Sequence, residues 1–193
     1  MKLGRIFITK PLAWVAVVAI LYVTGALQYA SSLAQGVVLR SGFVNASTTS
    51  SSSDVFNYNF TIKDLEGKKI EFKDFKGKVL FINLWATWCG PCRSEMPSIQ
   101  ELYNDVDKEK IIFVMLSLDN EEHLERVKQF ISYKSFTFPV YMPSGYLTNQ
   151  FQVPTIPTTF VVAKDGTIAL KEIGMKNYNT SKFKKYLEQL ASR

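Results

Sequence analysis

The chain has 193 residues, 47% hydrophobic and 21% charged, a composition typical of a globular protein with enough apolar material for one core. Its net charge is +6, but four bases and no acid fall in residues 1–40, which leaves 19 bases against 17 acids elsewhere; such a mixed surface excludes the basic stripe of a nucleic-acid-binding protein. Two cysteines and one histidine are too few for a disulfide scaffold or a structural zinc site, and no metal or cofactor is predicted.

The N-terminus has the pattern of a membrane anchor. Residues 1–10 contain three bases, residues 11–39 are uncharged, and residues 12–30 are the most apolar part of the chain. An apolar helix of about 20 residues spans a bilayer, and preceding bases keep its start in the cytoplasm. We therefore predict that residues 1–34 are a signal anchor with one transmembrane helix in the cytoplasmic membrane, and that the catalytic domain lies on the periplasmic or extracytoplasmic side. The alternative is a signal peptide cleaved near Ala34, which would release the protein to the periplasm.

A polar segment follows the anchor. Residues 46–53 consist of serine, threonine and one alanine, and they offer no side chain for a core. We predict that residues 35–54 form a flexible Ser/Thr-rich tether. The third domain, residues 55–193, is then the folded one.

The folded part alternates between strand and helix patterns. The apolar run at residues 79–85 predicts a strand buried on both faces. Further strands are predicted at 56–62, 111–118, 138–141, 158–163 and 168–173, and helices at 90–106, 121–133, 145–151 and 180–190. This order, ending in a hairpin and a helix, predicts an α/β fold with a mixed sheet and helices on both faces.

The two cysteines stand in the segment Trp88-Cys89-Gly90-Pro91-Cys92, directly after the buried strand and at the start of a helix. Free backbone N–H groups and the helix dipole stabilise a thiolate at this end. Pro91 suits the first helical turn because its missing N–H has no role there. Cys92 is close enough to Cys89 to close a disulfide.

This arrangement predicts a thiol–disulfide oxidoreductase with Cys89 and Cys92 as its catalytic pair. The Cys89 thiolate would attack the disulfide of a partner and form a mixed disulfide. Cys92 would then attack Cys89, which releases the reduced partner and leaves the Cys89–Cys92 redox-active disulfide. The same steps in reverse would oxidise a dithiol.

Two motifs carry a family resemblance. Residues 84–97 resemble the active-site segment of thioredoxin-fold proteins, and most closely the membrane-anchored TlpA/ResA-like branch. Residues 156–162 resemble the cis-proline loop of that family and the strand after it. The resemblance covers about residues 55–193. It implies a thioredoxin-like fold, with a central mixed β-sheet flanked by helices and an inserted helix between residues 119 and 151, preceded by an N-terminal transmembrane helix.

The resemblance also implies a substrate-binding loop. Ile156–Pro157 would be a cis peptide bond that faces the disulfide, and Pro154 is the rival candidate. The backbone of Ile156 would then be free to pair with an extended partner chain. Trp88 would cover one side of the site, with ordinary core packing as its alternative role, and Gly90 and Pro91 would support the cysteines.

One departure concerns proton transfer. Thioredoxin has a buried aspartate and a lysine at places that correspond here to Asn83 and Met115, and neither residue titrates usefully. Glu95, one turn beyond Cys92, is therefore a candidate proton carrier. The alternative is that Glu95 is a surface acid near the helix N-terminus.

The Gly-Pro pair between the cysteines resembles the reducing members of the family. In an oxidising compartment such a protein needs an electron supply. The predicted partners are therefore disulfide-containing proteins outside the cytoplasm and a membrane thiol electron donor. Alternatives are a dedicated reductant for cytochrome c maturation, an oxidant that introduces disulfides, and a non-catalytic binding module. The specialised cytochrome c branch carries an acid just after the cis-proline, and residues 157–159 have none. A peroxiredoxin is disfavoured by the residues before Cys89.

Overall fold

The computed structural model of the protein describes residues 14–15, 17–20, 22, 44–48 and 54–193. Residues 14–15, 17–20 and 22 are helical and exposed. Among the described residues, no helix combines the length and the apolar character needed to span a bilayer. Most of the predicted anchor, the cleavage site near Ala34 and much of the predicted tether lie outside the described residues. The three domain boundaries stay predictions.

Residues 54–193 fold around a seven-stranded mixed sheet with the strand order β2-β1-β5-β4-β3-β6-β7. The strands are β1 Thr61–Asp64, β2 Lys69–Glu71, β3 Val79–Trp85, β4 Ile111–Ser117, β5 Val140–Pro143, β6 Thr158–Val162 and β7 Ile168–Ile173. Neighbours β3, β4 and β5 run parallel, and the other pairs are antiparallel. The predicted mixed sheet is confirmed.

The described part of the domain has three α-helices: α1 Gly90–Asp105, α2 Leu124–Lys134 and α3 Ser181–Ser192. Single 3-10 turns occupy Phe72–Phe75, Glu121–His123 and Asn149–Phe151. Thr180 begins α3, where its hydroxyl accepts the Phe183 N–H at 3.2 Å, and Ser135 ends α2 in the left-handed conformation. Helix α2 and strand β5 lie between residues 119 and 151, where the family resemblance implies an insertion.

The central strand β3 is buried along its whole length, as predicted. Because side chains alternate along a strand, Phe81 and Trp85 enter one core and Leu80 and Leu84 enter the other. Side chains of all three α-helices join the first core. The prediction of helices on both faces therefore needs correction, because the second face is covered by residues 56–75 and Phe151, whose helical parts are single 3-10 turns.

The predicted strand at residues 56–62 forms only at its end, where β1 begins at Thr61. The alternation is real, since Phe56, Tyr58 and Phe60 are all buried. Their rings pack on Phe72, with Phe60 stacked at 4.3 Å between centroids. Ring contacts and single backbone hydrogen bonds, such as the one from the Phe56 N–H to the Gly166 carbonyl at 2.8 Å, hold this segment. The period-two pattern therefore indicates burial here without a continuous strand pairing.

Five residues of the predicted tether, 44–48, lie against the folded domain. The Ala46 N–H donates to the Asn177 carbonyl at 3.1 Å, and the Asn177 N–H donates to the Val44 carbonyl at 2.9 Å. The Ser47 N–H donates to Glu172 Oε1 at 2.7 Å, and Ala46 is buried in the first core. This strap, residues 44–48, therefore contacts β7 and the segment between β7 and α3.

Candidate active site

The cysteine pair lies where β3 gives way to α1. Cys89 and Cys92 form a disulfide with an S–S length of 2.01 Å and a Cα–Cα distance of 5.3 Å. Cys92 has no exposed surface, whereas Cys89 keeps 5% of its surface exposed. A partner can therefore reach only Cys89 directly, which matches the order of attack that the sequence predicts.

Cys89 is the residue that begins α1. Its Sγ accepts the Cys92 N–H at 3.2 Å, and its carbonyl accepts the Arg93 N–H at 3.1 Å. Pro91 stands in the first turn of the helix, as the sequence suggests. Backbone N–H groups at a helix start carry partial positive charge, so this geometry fits stabilisation of a Cys89 thiolate.

The loop before β6 faces the cysteines. Within residues 54–193 the cis peptide bond is Ile156–Pro157, not the bond before Pro154. The Ile156 carbonyl oxygen lies 3.8 Å from Cys89 Sγ. Over the same residues the Ile156 N–H forms no hydrogen bond. A main-chain donor is thus available beside the exposed sulfur.

Glu95 is fully buried on α1, so the alternative of a surface acid is wrong. Its Oε1 accepts the side-chain amide of Asn83 at 2.7 Å, and its Oε2 accepts the Lys176 N–H at 3.0 Å. Burial raises the pKa of Glu95 to about 8, although both hydrogen bonds act in the opposite direction. Glu95 is therefore mostly protonated at neutral pH and can lose its proton slightly above it.

Asn83 connects the sheet to this carboxyl. It lies on β3 opposite Met115 on β4 and opposite Thr159 on β6. Its amide nitrogen also donates to Thr159 Oγ1 at 2.9 Å. Asn83, at the strand position that corresponds to the thioredoxin aspartate, thus carries an amide. The buried acid beside it is Glu95, which belongs to α1.

The sequence did not predict three residues that surround Glu95 and Asn83. Thr159 could have been found from the register of β3 and β6, because it lies within the proline motif, two residues after Pro157. Lys176 contacts Glu95 through its backbone and Glu172 through its ammonium group, at 3.5 Å, and no pattern marks it. Tyr178 is fully buried, and burial together with the nearby Glu95 raises its pKa well above the usual value.

The remaining predicted residues lie on the surface around the disulfide. Trp88 is 65% exposed, so its alternative role in core packing is wrong. Pro91 is exposed and Gly90 is half-buried. These residues therefore lie at or near the surface next to the disulfide.

A buried carboxylate also fixes the turn before Cys89. Asp119 Oδ2 accepts the Thr87 N–H at 2.8 Å, and its Oδ1 accepts the Thr87 hydroxyl at 2.6 Å. The Ser117 hydroxyl donates to Oδ2 at 2.8 Å. Sequence patterns gave no sign of this contact, which joins the end of β4 to the turn that carries the cysteines.

Replacing Asp119 with alanine should lower the free energy of unfolding by about 2–3 kcal/mol, because it leaves the buried Thr87 N–H without an acceptor. Urea denaturation of the oxidised protein measures this loss. Glu122→Ala removes an exposed carboxylate nearby and should change stability by less than about 0.5 kcal/mol. Equal effects of the two substitutions would show that Asp119 does not hold the turn.

The sheet order, the disulfide at the start of α1 and the cis-proline loop beside it together define a thioredoxin-fold protein. The family profile described as the AhpC/TSA family matches residues 57–171, which is more than half of the chain. The chain belongs to the AhpC/TSA family.

Individual relatives support the predicted resemblance to the ResA-like branch. The thiol-disulfide oxidoreductase ResA of Bacillus cereus (strain ZK / E33L) is 44% identical over 117 residues, covering 60% of this chain and 66% of that protein, slightly less than two thirds. ResA of Geobacillus thermodenitrificans (strain NG80-2) is 32% identical over 133 residues, covering 68% and 74%. The crystal structure of StoA from Bacillus subtilis is 29% identical with a TM-score of 0.53, covering 73% of this chain and 96% of that one.

Proposed function

We propose that the chain is a thiol–disulfide oxidoreductase that cycles between a Cys89/Cys92 dithiol and the Cys89–Cys92 disulfide. One observation carries this proposal: the disulfide lies at the start of α1, with Cys89 Sγ directed at the carbonyl of Ile156 in the cis-proline loop. The ResA relatives, whose names state this activity, support it.

In the proposed cycle the Cys89 thiolate attacks one sulfur of a substrate disulfide, and the other substrate sulfur leaves as a thiolate. Cys92 then loses its proton and attacks Cys89 Sγ. The bond between Cys89 and the substrate breaks, and the second substrate thiolate takes up a proton. Two electrons pass from the protein to the substrate. The free N–H of Ile156 would hold the substrate main chain beside Cys89.

Glu95 is the proposed proton carrier for Cys92. It lies three residues further along α1, and side chains at this spacing share one side of a helix. A pKa of about 8 suits both halves of the task, because a group that titrates near the working pH can accept and return a proton. Asn83 and the Lys176 N–H hold the carboxyl in place.

The proposed direction is reduction of protein disulfides outside the cytoplasmic membrane. The uncharged segment at residues 11–39 supports a single N-terminal span, with cleavage near Ala34 as the alternative. The residues Gly90 and Pro91 support a reductant, by resemblance. In such a compartment the disulfide must be reduced again after each turnover, so a membrane thiol electron donor is the second proposed partner.

The equilibrium reduction potential of the full chain in detergent tests the direction. A value near about −270 mV, as in thioredoxin, supports a reductant, and a value near about −120 mV, as in DsbA, identifies an oxidant that introduces disulfides. The activity itself is tested with a fluorogenic disulfide peptide and the reduced protein. Failure to open the peptide disulfide would refute the oxidoreductase proposal.

A further inference from the structure

A groove lies beside the cysteine pair, between the turn before Cys89 and helix α2. Its volume is about 660 Å³, and its lining includes Trp88, Arg93, Arg126, Gln129 and Tyr133. Trp88 directly precedes Cys89, and three of the other residues belong to the inserted helix α2. The groove therefore lies next to the residue that carries the proposed reactive sulfur.

Two aromatic side chains of the groove are unusually accessible. Trp88 is 65% exposed and Tyr133 is 82% exposed. Most large aromatic side chains of a soluble domain are largely buried. Rings held at a surface provide a large contact area and lose little conformational freedom when a partner binds.

The charge of the groove is positive and unbalanced. Within the described residues, Arg93 and Arg126 form no ion pair. No carboxylate lines the groove. Three acids close by in sequence have other partners: Glu125 pairs with Lys128 at 3.3 Å, Glu121 pairs with Lys63, and Asp119 accepts from Thr87 and Ser117. A fourth, Glu122, is exposed and does not line the groove.

We propose that this groove binds an acidic segment of the substrate polypeptide, next to the disulfide that Cys89 attacks. The inference rests on the proposed oxidoreductase function and specifies its substrate class. Guanidinium groups bind carboxylates through paired hydrogen bonds, and the two arginines offer two such positions. Gln129 adds an amide for the main chain of the same segment.

The spacing predicts where the acids fall. Arg93 stands four residues after Cys89 on α1, which is about one helical turn, or roughly 6 Å. An extended chain advances about 3.3 Å per residue. Acidic residues from about two positions beyond the reacting substrate cysteine are therefore the ones that reach Arg93.

Two disulfide peptides test the proposal. They share one sequence, except that three flanking positions are Glu in one and Gln in the other. The reduced full chain in detergent is mixed with each peptide, and the second-order rate constants are compared at low ionic strength. We expect the Glu peptide to react about tenfold faster, with the ratio falling towards one in 1 M salt.

The Arg93→Gln, Arg126→Gln double variant should bring the ratio of the two rates close to one. Using a ratio cancels any change in the intrinsic reactivity of Cys89. Lys108→Gln is the matched control, since it removes a base beyond the far end of the 16-residue helix α1, about 24 Å away, and should leave the ratio unchanged.

Each other outcome has a defined meaning. If the double variant still reduced the Glu peptide faster than the Gln peptide by the wild-type factor, the docking proposal would be wrong. Reduction of both peptides would still support the oxidoreductase function. If the wild-type chain reduced neither peptide, the oxidoreductase function itself would fail. A third outcome would assign the groove to a membrane surface instead. In that case the wild-type chain would bind phosphatidylglycerol vesicles, the double variant would not, and the ratio of the two peptide rates would be the same in both.

Discussion

Replacing Cys92 with serine should abolish turnover and capture the protein in a mixed disulfide through Cys89. Cys92 forms the disulfide with Cys89, so its removal takes away the intramolecular thiol that resolves the intermediate. Turnover should fall by at least about a thousandfold, as expected when a nucleophile is removed from a group that acts as a unit. Mass spectrometry under non-reducing conditions would detect the adduct.

Cys89→Ser is the matched control for this result. It should be equally inactive but should form no adduct, because the remaining sulfur is inaccessible to the substrate. If Cys92→Ser kept wild-type turnover, Cys92 would not be the resolving cysteine. An adduct formed through Cys92 in the Cys89→Ser variant would reverse the proposed order of attack.

Replacing Glu95 with glutamine should remove a strong pH dependence of stability. The pKa of Glu95 is about 8 in the folded protein, against 4.5 for an unperturbed glutamate, because burial favours the neutral form. Between these values the folded state binds more protons than the unfolded state. The free energy of unfolding therefore falls as pH rises from about 4.5 to 8, by up to about 1.4 kcal/mol per pH unit.

Glutamine cannot ionise, so in Glu95→Gln this decline should disappear and the variant should be the more stable protein above pH 8. Urea denaturation of the oxidised protein at several pH values measures both slopes. Glu101→Gln is the control, since Glu101 is an exposed glutamate on the same helix and should leave the decline in place. A decline that persists in Glu95→Gln would assign it to another group.

The same variant tests the proton transfer. If Glu95 serves Cys92, resolution of the mixed disulfide should slow by about 100-fold in Glu95→Gln, and the limb of the pH–rate profile near pH 8 should be lost. A merely structural role would lower stability or rate without moving that limb. Unchanged resolution at all pH values would eliminate Glu95 as the proton carrier.

The parts of the fold that the sequence predicted are those with local signals. A continuous apolar run gave β3 its bounds, and a cysteine pair with a proline in the first turn gave the start of α1. The bond Ile156–Pro157 was identified because its motif resembles a known loop and directly precedes β6. In each case the information lies within a few neighbouring residues.

The surroundings of Glu95 could not be predicted in this way. Its burial depends on the Lys176 N–H, which is 81 residues away in the chain, and on Asn83 from the central strand. Similarly, Phe56 and Phe60 alternate like a strand but are held by rings distant in sequence. Long-range packing decides whether an acid on a helix is solvated or enclosed, and no local pattern records it.

The strap gives the domain a mechanical connection to its own N-terminus. Ser47 bonds Glu172, Glu172 pairs with Lys176, and the Lys176 N–H donates to the buried Glu95 carboxyl. Tension applied to the chain before residue 44 is therefore transmitted to the segment that holds this carboxyl. A protein shortened to begin at Asp54 would lack the strap, so its reactivity would be measured without these contacts.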